Sequence, residues 1–145
     1  MNSVSLSSEA KPTAPQKRAK KLLIVEDNRS DAIFIRRMLR DMANGESLMF
    51  WEVARLKDAI ELLLGETFDL VILDLGLLDM QGVTSVAAIR TTAPNTPIIV
   101  YSGSDDPELR QEAILCGAHH YLVKNAEGPM RFKMFVETML THQAA

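Results

Sequence analysis

Polar side chains follow four short apolar runs in this 145-residue chain. The runs are residues 22–25, 70–73, 98–101 and 121–123, and the polar residues that follow them are Glu26, Asp27, Asp74, Ser102 and Lys124. Three carboxylates brought to one place repel one another, and a hard divalent cation such as Mg²⁺ relieves that repulsion. A hydroxyl and an ammonium opposite them bind the oxygens of a tetrahedral anion. These residue types therefore predict a carboxylate that accepts a phosphoryl group beside a magnesium ion.

Alternating strands and helices are predicted to position these residues. Apolar runs predict strands at residues 22–25, 48–54, 70–73, 98–101 and 119–123, with Glu52 indicating an edge strand. Helices are predicted at residues 28–43, 56–64, 83–93, 107–116 and 130–140, with starts or stops at Asn44-Gly45, Gly65, Asp106-Pro107 and Gly117. Repeated βα units predict an α/β fold, a doubly wound five-stranded parallel sheet with helices on both faces. Such sheets bind ligands beyond the carboxyl ends of their strands.

Composition excludes several classes of protein. With 47% apolar and 24% charged residues, the chain is typical of one globular domain. Its apolar runs are far shorter than the roughly 20 residues of a membrane span, and residues 1–21 lack a secretory signal, so we expect a cytoplasmic protein. The single Cys116 closes no intrachain disulfide, and His119 and His120, interpreted as surface or edge residues, lack a third metal ligand. No glycine-rich dinucleotide or phosphate-binding loop follows the first strand.

Charge divides the chain unevenly. Residues 1–21 hold five basic residues and one acidic residue, whereas the remainder is acidic and brings the whole chain to a net charge of −3. An acidic body lacks the basic face that nucleic-acid binding requires. We expect a disordered basic tail at residues 1–20, one domain at residues 21–142 and a short tail at residues 143–145. The basic tail is interpreted either as a weak electrostatic tether or as a solvated leader.

Four stretches of the sequence resemble the receiver domains of response regulators in bacterial two-component signalling, the CheY-like family. They read LLIVEDN, DLVILDLGLLDMQG, PIIVYSG and GAHHYLVKN, and together they cover about residues 21–142. The resemblance implies a flavodoxin-like sheet of strand order 2-1-3-4-5 with five helices. It also implies a phosphoprotein that is a signalling switch rather than a turnover enzyme. Because no output domain follows residue 142, we expect a stand-alone regulator.

The resemblance assigns an acceptor and its metal ligands. It implies that Asp74 carries an aspartyl phosphate. Asp27 would ligate Mg²⁺ directly, Glu26 would act through a bound water, and Gly76 would offer its backbone carbonyl. From the residues alone, Asp74 could instead cap its loop, and Glu26 and Asp27 could cap the first helix.

The resemblance also assigns a switch. Lys124 would pair with Asp74 before phosphorylation and with a phosphoryl oxygen afterwards, and Ser102 would bind another phosphoryl oxygen. Tyr121 matches the aromatic switch position, and it is expected to turn into space vacated by Ser102. On the residues alone, Ser102 is an ordinary turn residue, Lys124 an ordinary strand-end lysine and Tyr121 a core aromatic.

Three residues depart from the family pattern. Asn125 follows Lys124 where the family usually has proline after a cis peptide bond, so either the bond is trans and the loop shifts or the loop is strained. Leu78 stands where proline is usual, which predicts a looser loop after Asp74. Ser102 replaces the commoner threonine and keeps the hydroxyl.

The function implied is a receiver that takes its phosphoryl group from a sensor histidine kinase or a phosphotransfer protein. Output is expected through an unidentified protein target, without nucleic acid or a membrane span. The last helix carries Met130 and Met134, which suit a partner surface or belong to a generous core stripe. A homodimer through the fourth helix, fifth strand and last helix is a further expectation.

Two other functions compete with this one. The first is a phosphorylation-independent scaffold or dimerisation module with a receiver fold. The second is a flavin or nucleotide binder, which is disfavoured because three carboxylates repel a phosphate that lacks a metal.

Overall fold

The computed structural model describes residues 19–41, 47–125 and 127–142. Its strands are β1 (Lys20–Val25), β2 (Leu48–Val53), β3 (Leu70–Leu73), β4 (Ile98–Ser102) and β5 (His120–Val123). Its helices are α1 (Arg29–Asp41), α2 (Leu56–Gly65), α3 (Thr84–Thr92), α4 (Pro107–Leu115) and α5 (Gly128–His142). Each of these strands is followed by one helix, as the sequence predicts.

The strands form one parallel sheet in the order β2-β1-β3-β4-β5. This order confirms the predicted flavodoxin-like fold. Val25 and Leu73 are the last residues of β1 and β3 and pair with each other, and Leu73 pairs with Val100, two residues before the end of β4. These strands therefore end at the same edge of the sheet. The polar residues that follow them therefore reach the same edge of the sheet.

Two apolar layers cover the sheet. Helices α2, α3 and α4 pack on one face through residues such as Leu63, Ile89 and Ala113. Helices α1 and α5 pack on the other face through Ile35 and Phe132. All four residues of β3 are buried, which explains why its sequence is a continuous apolar run rather than an alternating one.

The starts of β1 and α5 each lie two residues before the predicted ones, and most other boundaries agree to within one residue. β1 begins at Lys20, and the next residue, Lys21, is held in the strand because its backbone N–H donates to Asp69 Oδ2 at 2.7 Å. α5 begins at Gly128, whose N–H donates to the carbonyl of Asn125 at 3.0 Å. Of the tail predicted at residues 1–20, Lys20 lies in β1 instead, and residues 1–18 lie outside the described residues, as do the tail at residues 143–145, Met42 and the Asn44-Gly45 helix stop.

Other local predictions are confirmed. Asp106 caps α4, since its Oδ1 accepts the N–H of Glu108 at 3.0 Å. Gly117 ends that helix region with a φ of 123°, a conformation that favours glycine. Glu52 lies in the edge strand β2 and forms an ion pair with Arg36.

Arg90 on α3 ties two turns together at the amino edge of the sheet. Its Nη1 donates to the carbonyls of Pro94 at 2.8 Å and Thr96 at 2.9 Å. Its Nη2 donates to the carbonyl of Gly117 at 2.7 Å. A Cβ at position 117 would lie 2.8 Å from Arg90 Nε, so the glycine also makes room for the guanidinium.

Helix α5 supplies a core stripe and an exposed apolar surface at once. Phe132, Val136 and Leu140 are buried against the sheet. Met130 is 78% exposed and Met134 is 53% exposed. Of the two alternatives for these methionines, Met130 and Met134 are exposed rather than part of the core stripe.

Candidate functional site

The ends of β1 and β3 bring three carboxylates together at one edge of the sheet. Glu26, Asp27 and Asp74 each offer an oxygen, and these oxygens all lie within 4.8 Å of one another. Glu26 is only 6% exposed and Asp74 only 9% exposed, whereas Asp27 is half-buried. The site is thus an acidic cleft that is largely shielded from water.

Backbone pairing fixes the position of Asp74. Its N–H donates to the carbonyl of Val25 at 2.9 Å, which places the residue where β3 ends beside β1. Its Oδ2 accepts the N–H of Gly76 at 3.2 Å. Gly76 in turn pairs with Gln81 in an isolated antiparallel bridge, so the segment after Asp74 folds back on itself.

The Lys124 ammonium is the cation of this cleft. Its Nζ lies 2.7 Å from Glu26 Oε1, 2.9 Å from Asp31 Oδ2 and 3.4 Å from Asp74 Oδ1. Burial opposes the charged amine, but the hydrogen bonds to Glu26 and Asp31 and the charge of Asp74 outweigh it and raise the pKa of Lys124. The lysine therefore stays protonated, and it lies nearer to Glu26 and Asp31 than to the expected partner Asp74.

Asp31 is the site residue that sequence reasoning missed. It lies in the first turn of α1, where an acidic residue is ordinarily explained by the helix dipole. The signal in the sequence is its spacing: Asp31 follows Asp27 by four residues, one helical turn further on. That spacing places its carboxylate above the same strand end.

Glu26 is a buried acid with two hydrogen-bond donors. Burial raises the pKa of its carboxyl group, Asp74 raises it further, and the hydrogen bonds from Lys124 and the Asn28 backbone lower it. The Asn28 N–H donates to Glu26 Oε2 at 3.1 Å. Glu26 therefore lies in the cleft, as expected, and also contacts the residue before α1 through the Asn28 N–H.

The donor set of the cleft suits a hard divalent cation. The ligand atoms are carboxylate oxygens, and three carboxylates face the single ammonium of Lys124. Oxygen ligands with an excess of negative charge are those that Mg²⁺ prefers, whereas zinc takes nitrogen and sulfur as well. The residues that the structure brings together thus fit magnesium.

Ser102 is the last residue of β4, and Tyr121 is the second residue of β5. Ser102 Oγ accepts the N–H of Ser104 at 3.2 Å. Tyr121 is 4% exposed, its hydroxyl donates to the carbonyl of Ser104 at 2.8 Å, and the Arg110 guanidinium lies 5.2 Å from its ring centre. The Tyr121 ring is therefore already buried in this structure, whereas the sequence-based picture has it turning inward.

The loop after Asp74 is anchored at its far side. Asp79 Oδ1 accepts the N–H of Leu56 at 2.9 Å, and Asp79 Oδ2 accepts the N–H of Lys57 at 3.1 Å. These hydrogen bonds lower the pKa of Asp79, and they cap the start of α2. The prediction that Leu78 in place of proline loosens this loop stays a prediction, and Asp79 is the residue that ties the loop to α2.

The loop after Lys124 has a trans connection. None of the described peptide bonds is cis, so the bond between Lys124 and Asn125 is trans. Asn125 Oδ1 accepts the N–H of Glu127 at 3.1 Å, which leads the chain directly into α5. Of the two alternatives for this loop, the trans bond is the one observed.

Comparison with known proteins identifies the family. The family model for the response regulator receiver domain matches residues 22–132. The chain belongs to the response regulator receiver domain family. This membership agrees with the strand order and with the placement of the acidic cleft.

Among characterised relatives, the receiver is similar to two bacterial regulators. It is 27% identical over 118 residues to the transcriptional regulatory protein ZraR of Salmonella typhimurium, which covers 81% of this chain and 25% of ZraR. It is 29% identical over 104 residues to the cell cycle transcriptional regulator CtrA of Caulobacter vibrioides, which covers 72% of this chain and 43% of CtrA. The chain thus spans a quarter to just under half of these relatives.

Among solved structures, the receiver domain of the sensor histidine kinase PA1611 from Pseudomonas aeruginosa has the same fold. The TM-score is 0.72 at 21% identity, and the match covers 86% of this chain and 99% of that domain. That domain has a magnesium ion coordinated in its active-site cleft.

His119 and His120, at the start of β5, do not form part of the cleft. His119 is exposed, and its Nδ1 accepts the backbone N–H of Ile98 at 3.2 Å. The His120 ring lies 4.0 Å from that of Phe135 on α5.

In the part of the receiver that the structure describes, no helix is long and apolar enough to cross a membrane.

Proposed function

We propose that this receiver accepts a phosphoryl group on Asp74 and is a signalling switch rather than a turnover enzyme. The observation that carries the proposal is the surroundings of Asp74: its Oδ1 lies 3.4 Å from the Lys124 ammonium. Oxygens of Glu26, Asp27 and Asp74 lie within 4.8 Å of one another. A nucleophilic carboxylate, a cation and further carboxylates for a metal are the groups that phosphoryl transfer requires.

The acidic cleft would hold Mg²⁺. We propose Asp27 as a direct ligand, Glu26 as a ligand through water, and Asp74 and the backbone carbonyl of Gly76 as the remaining protein ligands. When bound, Mg²⁺ neutralises the negative charge of an incoming phosphoryl group. The magnesium ion in the PA1611 receiver supports this choice of metal.

The chain's own residues have defined parts in the transfer. An oxygen of the Asp74 carboxylate forms a bond to phosphorus, while the bond from phosphorus to the donor breaks and its electron pair stays on the donor. Lys124 donates a hydrogen bond to one phosphoryl oxygen, and the Ser102 hydroxyl donates to another. The donor proposed is a phosphorylated sensor histidine kinase or phosphotransfer protein.

Output is proposed to pass through protein contacts on the face formed by α4, β5 and α5. Tyr121 lies under this face with its hydroxyl bonded to Ser104. Met130 and Met134 are exposed on α5, and such adaptable side chains suit a protein partner or a second copy of the chain.

Intact mass spectrometry tests the acceptor. The chain is incubated with acetyl phosphate and Mg²⁺, and we expect a gain of one phosphoryl group in the wild type and in the control Asp58→Asn, but none in Asp74→Asn. A gain that persists in Asp74→Asn would overturn the assignment. Absence of any gain in the wild type would leave the phosphorylation-independent scaffold as the function.

A further inference from the structure

The Lys124 ammonium is shared unequally among the carboxylates around it. Its shortest hydrogen bonds go to Glu26 at 2.7 Å and to Asp31 at 2.9 Å. Both distances are those of strong charge-assisted hydrogen bonds, whereas the 3.4 Å to Asp74 is beyond that range. The ammonium is therefore centred between Glu26 and Asp31, to one side of the acceptor.

The position of Asp31 is fixed by its helix. Its N–H donates to Asn28 Oδ1 at 2.9 Å, and the N–H of Ala32 donates to the carbonyl of Asn28 at 3.0 Å. Ala32 and Ile35 are buried and pack α1 against the sheet. The Asp31 carboxylate is thus carried on an anchored first turn that aims it at Lys124.

Asp31 stands outside the three-carboxylate group. The oxygens that lie within 4.8 Å of one another belong to Glu26, Asp27 and Asp74. The Asp31 side chain is 41% exposed, and Lys124 is its ion-pair partner. Its contact with the cleft runs through the ammonium.

We propose that Asp31 is a positioning residue that holds the Lys124 ammonium back from Asp74 and thereby restrains phosphorylation. The inference rests on the proposed function, in which Lys124 donates to a phosphoryl oxygen on Asp74. To make that bond at charge-assisted length, the ammonium must move toward Asp74 and weaken its bond to Asp31. Asp31 therefore competes with the phosphoryl group for the same donor.

Binding of beryllium fluoride in the presence of Mg²⁺ tests the competition without any group transfer. We expect Asp31→Asn to bind this phosphoryl analogue roughly two- to tenfold more tightly than the wild type, the range of a partly exposed ion pair. Asp58→Asn is the matched control, because Asp58 is likewise the third residue of its helix, α2, on the opposite face of the sheet. Equal or weaker binding by Asp31→Asn would overturn the inference.

A double-mutant cycle separates the restraint on Lys124 from the simple removal of a negative charge. If Asp31 acts through the ammonium, Asp31→Asn changes analogue affinity in the wild type but not in a Lys124→Gln background. An equal gain in both backgrounds would overturn the inference and assign the effect to general electrostatics.

Failure of this inference is distinguishable from failure of the proposed function. If the wild type does not bind beryllium fluoride with Mg²⁺, the proposed function falls and the inference falls with it. If the wild type binds and Asp31→Asn binds no better, the inference alone falls. Asp31→Ser, which keeps a small polar residue in the first turn of α1, repeats the comparison should Asp31→Asn unfold.

Discussion

Ser102 and Tyr121 bind the two polar backbone groups of one residue. Ser102 Oγ accepts the N–H of Ser104 at 3.2 Å, and the Tyr121 hydroxyl donates to the carbonyl of Ser104 at 2.8 Å. Any displacement of Ser102 toward Asp74 therefore moves the segment to which Tyr121 is bound. Since the Tyr121 ring is already buried, Ser104 rather than an emptied space connects the Ser102 and Tyr121 side chains.

Tyr121→Phe tests the strength of this link. The substitution removes the hydrogen bond to Ser104 and keeps the ring, so we expect the free energy of unfolding to fall by about 0.5–1.5 kcal/mol. Urea unfolding measures this change. An unchanged unfolding midpoint would show that the hydroxyl bond contributes nothing to stability.

Backbone amide shifts test where the switch acts. When beryllium fluoride and Mg²⁺ are added, we expect NMR shifts over residues 102–116 and 121–140 and little change over residues 48–64, at the far edge of the sheet. The opposite distribution would point to output through α1.

Lys124→Ala should separate phosphorylation from its consequences. The variant keeps Asp74, so intact mass should still rise by one phosphoryl group with acetyl phosphate and Mg²⁺. It lacks the ammonium that joins the phosphoryl group to β5, so the shifts over residues 121–140 should be lost. Normal shifts in the phosphorylated variant would contradict the coupling.

Asp27→Asn and Glu26→Gln should differ in their effect on Mg²⁺ affinity. Glu26 already accepts hydrogen bonds from Lys124 and the Asn28 backbone, whereas Asp27 is half-buried in the same cleft. We expect Asp27→Asn to weaken Mg²⁺ binding more, with Glu26→Gln in the roughly ten- to hundredfold range typical of groups that act on a metal indirectly. Calorimetric titration of both variants checks the order, and equal losses would contradict it.

The fold was predictable because the apolar runs mark the strands and helices, and their alternation along the chain indicates a parallel sheet. β3 was identifiable to the residue because both of its faces are covered and each of its residues must be apolar. The start of β1 was not, since the N–H of Lys20 donates to the carbonyl of Ser47 and Lys21 is bound by Asp69 and Glu66, partners that local sequence does not reveal.

The site was predictable in its members and less so in its contacts. Parallel strands bring the residues after Val25 and Leu73 and the end of β4 at Ser102 to one edge, so their convergence follows from topology. Lys124 lies nearer to Glu26 and Asp31 than to Asp74, and this depends on side-chain conformations and on where α1 begins. Those details arise from tertiary packing, which a pattern of residue types does not contain.

His119 predicts a loss of stability in mild acid. Although His119 is exposed in part, desolvation of the side of its ring that faces Ile98, then the positive charge of Arg90 and the neighbouring His120, lower the pKa of His119 below its usual 6.5. Because the unfolded chain then takes up the proton first, this residue's contribution to stability is lost as the pH falls below about 6.5. His119→Asn retains an acceptor for the Ile98 N–H and removes the titration.

Urea unfolding at about pH 7.5 and 5.5 measures this contribution. We expect the wild type to lose more stability between these two conditions than His119→Asn does. Equal losses would show that the hydrogen bond from Ile98 to Nδ1 is not sensitive to protonation.

Gly128 and Gly65 form a matched pair for alanine substitution. A Cβ at position 128 would lie 2.4 Å from the carbonyl oxygen of Val123, whereas one at position 65 meets nothing within 4 Å. We expect Gly128→Ala to destabilise the fold by about 1–3 kcal/mol and Gly65→Ala to stabilise it by about 0.4–1 kcal/mol. Thermal unfolding of both variants compares them, and a neutral Gly128→Ala would contradict the close approach of α5 to β5.

Arg90 fixes the amino-terminal ends of β4 and β5 and leaves their carboxyl-terminal ends without this contact. By binding the carbonyls of Pro94, Thr96 and Gly117, it fastens the turns from which both strands start. Their other ends carry Ser102 and Lys124. A strand of this length is a lever of about 13 Å, so a 1 Å displacement of Ser102 needs a rotation of only about 4°. The phosphoryl group proposed for Asp74 would thus act on the strand ends that lie farthest from Arg90, where a small rotation gives the largest displacement.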